Sequence, residues 1–270
     1  MLRQRIISAV VCLPLVIVLI WLGSPWFNIF IIVIALVATL EFYHLKVNFN
    51  KHYPLLYVGI IFSLILLLNP HYQNIATLPA LITILMLVSL IILLYHHSKQ
   101  EQVFTSWAWM VAGGFYIGWM LSYWIGLRIL SDGRTWVYFG MLTTFANDSG
   151  AYFIGKRWGK NKLAISISPQ KTWEGAIGGL FSALLGATVI YVVLGWITPL
   201  PLNYWQLLPL ACLISLFAQL GDLVESLLKR STGVKESGKF LPGHGGILDR
   251  FDSLIFVGVM IYYYAIWIVL

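Results

Sequence analysis

Ser226–Asp252 reads SLLKRSTGVKESGKFLPGHGGILDRFD. Lysines, arginines, acids and glycines crowd this segment, although charged residues make up only 10% of the chain. The apolar run 206–229 leads into it and a second, 251–269, leads out. A polar stretch between two such runs marks a point where a chain leaves and re-enters a bilayer. Composition agrees: 60% of the 270 residues are hydrophobic and the mean hydropathy is +0.85, outside the range of soluble domains. The fold class is therefore all-α, a polytopic integral membrane protein.

Outward from that segment, nine apolar runs approach the ~20 residues a helix needs to cross hydrocarbon. They cover 6–22, 27–45, 54–69, 77–96, 105–130, 136–155, 174–197, 206–229 and 251–269. The first follows Arg3 and Arg5 without a small-residue cleavage pattern, so it reads as a span rather than a signal peptide. The fifth is long enough to be tilted, kinked or partly re-entrant.

Basic residues then set the orientation. With the N-terminus cytoplasmic and the C-terminus outside, 15 of the 17 Lys and Arg fall on the cytoplasmic side, leaving only Arg128 and Arg134 outside. Positive-inside asymmetry of this kind accounts for most of the net charge of +7. The same face would attract anionic headgroups or nucleotides. Nucleic acid is excluded as a partner, because no soluble basic domain exists to bind it.

Residues 1–130 hold few ionisable groups and read as a transmembrane scaffold with lipid access. Residues 131–270 carry eight of the ten acids and two cytoplasmic loops, 156–173 and 230–250, and read as the catalytic region. No internal repeat is evident, which disfavours a repeat-built transporter. The spacings Gly114–Gly118 and Gly175–Gly179 permit close helix contact, within the chain or across a homodimer. Cys12 and Cys212 lie in apolar runs and read as small buried residues rather than a disulfide or metal site.

The acids are the chemical signal. Asp148, after Asn147, falls inside the sixth run, where a carboxylate must face a polar cavity or a partner. Asp222 and Glu225 share a helix face near the end of the eighth run, and Asp249 and Asp252 repeat that spacing where the ninth begins. Two helix ends that each carry paired acids suit a hard cation such as Mg²⁺ or Mn²⁺, completed by water and phosphate oxygens. As an alternative, Asp249 and Asp252 read as helix caps.

Lys229, Arg230, Lys235, Lys239 and Arg250 bracket these acids and would clamp phosphate oxygens. Gly243, Gly245 and Gly246 surround His244 and clear side chains where backbone approaches an anion. His244 would bind phosphate or carry a proton, or else serve the fold. In the other loop, Lys171 and Thr172 precede a helix start suited to phosphate. Trp173 suits the lipid interface, and Glu41 reads as a paired structural acid.

Ser226–Arg230, Lys235-Glu236 and Leu241–Asp252 together resemble the signature of the phosphatidate cytidylyltransferases, the CDP-diacylglycerol synthases. The segments Asp148–Lys160, DSGAYFIGKRWGK, and Ser168–Gly175, SPQKTWEG, are similar to that family too. The resemblance implies Mg²⁺-dependent transfer of CMP from CTP to phosphatidic acid, with release of pyrophosphate, in a bacterial inner membrane. It casts Asp222 and Asp249 as leading metal ligands and Asp252 and Asp148 as supporting ones, with a monovalent cation such as K⁺ able to assist near Asp222. Lys229, Arg230, His244 and Arg250 would act on the phosphates. Ser226, Lys171, Thr172, Lys235, Lys239, Gly245 and Gly246 would hold the substrates. Two positions depart from the family pattern: Glu236 stands for a usual Asp and Gln170 for a usual Lys. A CTP-dependent kinase of a polyprenol-type lipid and an ion-coupled transporter are the competing readings.

Overall fold

A computed structural model describes residues 14–46, 53–72, 76–95, 103–238, 240 and 245–270. Helix α1 covers 14–22, followed by α2 (Trp26–Leu45), α3 (Tyr53–Leu67) and α4 (Thr77–Tyr95). Helices α5 (Val103–Gly113) and α6 (Met120–Ile129) form one rod joined by a π-helical turn, Gly114–Trp119. Then come α7 (Gly133–Trp158), α8 (Trp173–Gly195), α9 (Tyr204–Ser231) and α10 (Leu248–Tyr264), which ends in a further π turn. Every expected run from 27 onward is helical, with ends within about one turn of those read from sequence.

Among the described residues, six helices are long and apolar enough to cross a membrane: α2, α4, the α5–α6 rod, α8, α9 and α10 with its π turn. The chain is therefore a multi-pass helical membrane protein. Helix α3, at 15 residues, is shorter than a usual span. Helix α7 has 26 residues but carries Arg134, Asn147, Asp148, Lys156 and Arg157 along its length.

One short element among the described residues is not helical. Between α7 and α8, β1 (Lys162–Ala164) pairs antiparallel with β2 (Ser168–Thr172). Pro169 cannot continue a helix, and the polar stretch around it finds its backbone partners in a short hairpin. The hairpin is tied down by Glu174, whose carboxylate accepts from the Lys160 and Asn161 amides at 3.1 and 3.2 Å.

A single buried apolar cluster draws on both halves of the chain, from Phe42 and Tyr43 on α2 to Trp124 on α6, Trp136 and Phe139 on α7, and Ile255 and Ile261 on α10. Lipid is as apolar as these side chains, so close packing and hydrogen bonds must hold the helices together. The Trp124 indole donates to Leu254 O at 2.9 Å, and the Tyr43 hydroxyl to Met110 O at 2.8 Å. Both small-residue spacings work inside the chain. A Cβ on Gly118 would strike the Ser63 backbone at 2.3 Å, and one on Gly179 would meet Asn147 Oδ1 at 2.8 Å. Cys212 differs from its reading: it is exposed on α9, where a small apolar side chain can face lipid as readily as a core. Cys12 lies outside the described residues.

Candidate active site

Four helix ends and the hairpin meet at one end of the bundle. The C-terminal parts of α7 and α9 and the first turns of α8 and α10 enclose a cavity of about 910 Å³, large for a small-molecule site. Its wall includes Asp148, Lys171, Thr172, Asp222, Lys229, Lys235, Asp249, Arg250 and Asp252, nine of the positions singled out in the sequence. The opposite end of α7 carries Arg134, whose guanidinium lies 4.3 Å from the Trp21 ring centre, while Arg128 donates to Ile20 O at 3.4 Å. Arg134 and Lys156 are thus about 33 Å apart along one helix.

Asp148 is positioned by a polar chain inside the bundle. Asn147 Nδ2 donates to Asp148 Oδ1 at 2.9 Å, and Asn147 Oδ1 accepts from Ser215 Oγ at 2.7 Å. Gln219 completes the chain, donating to Ala176 O at 3.0 Å and to Ser215 Oγ at 3.1 Å. Every polar group so buried needs a partner, and this network joins α7, α8 and α9 at the depth of the carboxylate.

Two ion-pair systems line the mouth. Lys171 Nζ lies 2.8 Å from Asp222 Oδ2, both partly open to solvent. Lys229 sits between two acids, 2.5 Å from the wholly buried Glu225 and 2.6 Å from Asp249 Oδ1. The remaining oxygen, Asp249 Oδ2, accepts from Gly246 N at 2.8 Å and from Ser237 N and Oγ at 3.0 Å each. Four donors thus converge on Asp249, three of them on Oδ2. Asp252 accepts from the adjacent Ser253 N at 2.7 Å, but it lies inside α10, whose N-cap is Ile247, so it is not the helix cap.

The donor set suits a hard cation, since Asp148, Asp222 and Asp252 bring carboxylates from three helices to one cavity beside basic groups. Among the described residues, no three His, Cys, Asp or Glu side chains converge as a closed cage. That arrangement fits an ion held by one or two carboxylates and completed by water and substrate, the usual pattern for Mg²⁺.

Several expected site residues lie elsewhere. Ser226 turns back along α9 to donate to Asp222 Oδ1 at 3.4 Å and does not line the cavity. Arg230, exposed at the end of α9, donates from Nε to Ile167 O at 3.2 Å and so fastens the hairpin. Thr172 does line the cavity, and it also caps α8, its Oγ1 accepting from Gly175 N at 3.1 Å. Gly245 and Gly246 stand behind Asp249 rather than on the cavity wall; Gly245 takes φ +83°, which only glycine adopts freely. Lys239, Gly243 and His244 lie outside the described residues.

The cavity also recruits Tyr152, Lys156, Lys162, Gln170 and Gln219, none of them singled out as site residues in the sequence. Gln219 was legible in principle, as a polar residue in an apolar run three positions before Asp222 and hence on its face. Lys156 and Lys162 counted only as loop charges; Lys156 sits in the last turn of α7 and Lys162 on β1, and both border the cavity.

A family model described as the cytidylyltransferase family matches residues 3–268. A phosphatidate cytidylyltransferase of Bacillus subtilis is 37% identical over 268 residues, covering 97% of this chain and 96% of the relative. Proteins of the same name from Staphylococcus haemolyticus and Staphylococcus aureus are 37% and 35% identical, each covering 94% of this chain and 95% of their own length. With acids and cations gathered in one membrane-edge cavity and a match over nearly its whole length, the chain belongs to the cytidylyltransferase family.

Proposed function

We propose that the protein transfers the cytidylyl group of CTP to phosphatidic acid, giving CDP-diacylglycerol and pyrophosphate. The observation that carries this reading is the convergence of Lys156, Lys162, Lys171, Lys229, Lys235 and Arg250 with five carboxylates in a single cavity at the end of a membrane bundle. The names of the relatives supply the substrates. A lipid phosphate and a nucleotide triphosphate repel each other, and this set of charges is what their approach requires.

The phosphate oxygen of phosphatidic acid is already an anion, so no general base has to remove a proton from it. It attacks the α-phosphorus of CTP. As that bond forms, the bond to the α–β bridging oxygen breaks, and pyrophosphate leaves with the electron pair. Lys171 and Lys229, held at Asp222 and Asp249 beside the cavity, can exchange onto phosphate oxygens when substrates arrive. Arg250 and Lys235 add fixed positive charge along the wall. One or two of Asp222, Asp252 and Asp148 would hold Mg²⁺ or Mn²⁺, with Asp249 available at the oxygen now taken by Lys229. When bound, such an ion supplies charge neutralisation on the phosphates.

The proposed topology has nine crossings, a cytoplasmic N-terminus and an outer C-terminus, with the cavity at the cytoplasmic face of a bacterial inner membrane. The distribution of basic residues supports it, since the two arginines assigned to the outside sit at the far end of α7 from the cavity. Acyl chains then stay in the bilayer while the headgroup enters from the side.

The test uses purified protein in mixed micelles with phosphatidic acid, Mg²⁺ and CTP labelled at the α-phosphate. Label should enter the lipid fraction, pyrophosphate should appear, and EDTA should stop both. Absence of lipid label from folded protein, with γ-label passing instead to a lipid alcohol, would replace this reading by the CTP-dependent kinase, which the family match does not favour.

A further inference from the structure

Glu41 is an acid near the C-terminal end of the apolar helix α2, 8% exposed, far in sequence from the catalytic loops. Its carboxylate is held by backbone and hydroxyl donors: Oε1 accepts from Ile247 N at 3.0 Å, and Oε2 accepts from Leu248 N at 2.9 Å and lies 3.2 Å from Ser237 Oγ. These two amides are orphan donors at the start of α10, where a negative group is favoured. The surrounding backbone is shaped to the carboxylate: a Cβ on Gly238 would lie 2.4 Å from Oε1, and one on Gly246 2.5 Å from Oε2.

Ser237 Oγ also lies 3.0 Å from Asp249 Oδ2. A serine hydroxyl has one proton to donate, so Glu41 and Asp249 share it. Ser237 and Asp249 are thus tied to α2 on one side and to Lys229 on the other. We infer that Glu41 is a positioning residue for the reaction: its carboxylate anchors the start of α10, and through Ser237 it fixes Asp249 and the neighbouring Arg250 and Asp252 at the cavity wall. This inference rests on the proposed cytidylyl transfer for its kinetic consequence, but not for its structural one.

Glu41→Gln keeps the size of the side chain while placing an NH₂ group against one of the backbone N–H donors. In protein confirmed as folded and monodisperse, the expected result is a kcat lower by about 10²-fold with KM for both substrates within about twofold. Ile247 and Leu248 amides should lose hydrogen-exchange protection in the same variant. Thr39→Ala is the control: Thr39 is buried on the same helix α2, and its hydroxyl lies 3.0 Å from Ser63 Oγ on α3. It should lower thermal stability and leave kcat unchanged.

A Glu41→Gln enzyme with normal kcat per folded molecule, or a Thr39→Ala enzyme with the same loss, would overturn the inference and leave Glu41 a purely structural acid. If Glu41→Gln does not fold, Ser237→Ala takes its place, with the same exchange and kcat losses expected in smaller measure. If the wild type forms no lipid product, the proposed reaction fails, and the exchange arm alone decides whether Glu41 holds the start of α10.

Discussion

Lys229 carries the most consequence at the scale of single residues, because it neutralises two acids at once. Lys229→Ala leaves Glu225 wholly buried without its cation, and losing one partner of a buried pair costs about 3–5 kcal/mol. Thermal unfolding in detergent should show this loss even in protein never exposed to substrate. Asp249→Asn acts differently. It retains side-chain volume but offers an NH₂ to groups that are all donors, so turnover should fall by at least about 10²-fold while the protein still inserts and folds. Substantial remaining activity in the lipid-label assay would remove Asp249 from the chemistry. Lys171→Ala should lower kcat/KM more modestly, by about tenfold, since the ion pair it makes with Asp222 is partly solvated. An unchanged kcat/KM would assign Lys171 to the fold alone.

At the scale of elements, the site depends on how helices begin and how closely they approach. Thr172 caps α8 and so sets where Lys171, its neighbour, points. Thr172→Ala should destabilise the protein by about 1 kcal/mol and raise KM, read by thermal unfolding and by kinetics on the same sample. Gly179 lets α8 lie against Asn147, and a Cβ there would also come within 3.1 Å of the Ala151 Cβ. Gly179→Val should therefore disturb the Asn147–Asp148 pair and lower both stability and kcat, whereas Gly195→Val, where a Cβ meets nothing within 4 Å, should do neither. The hairpin is the element that composition did not disclose. Its strands are too short to show a two-residue periodicity, and they form only because Glu174 and Arg230 hold their ends.

For the whole molecule, the prediction concerns which end of the bundle faces the cytoplasm. Ser131 is exposed in the turn between α6 and α7, and Lys160 is exposed or nearly so between α7 and the hairpin. In intact cells, Ser131→Cys should react with a membrane-impermeant maleimide, and Lys160→Cys only after the membrane is opened. The reverse pattern would place the cavity outside, away from cytoplasmic CTP.

Much of this was readable before any coordinates. Hydropathy is a property of local sequence, and a bilayer of fixed thickness turns it directly into helices of fixed length, so the runs from 27 onward reappear as helices with similar ends. Burying charge in hydrocarbon is costly, and for that reason Asp148, Asp222, Asp249 and Asp252 stood out at once and do line one cavity. What the sequence left undecided was which groups meet. Arg230 and Lys229 are neighbours in the chain, yet the turn of α9 sends one to the hairpin and the other to the acids. Glu41 and Leu248 are separated by most of the chain, and only helix packing brings them together. Partners across such distances are selected by the packing of whole helices, which no local pattern records.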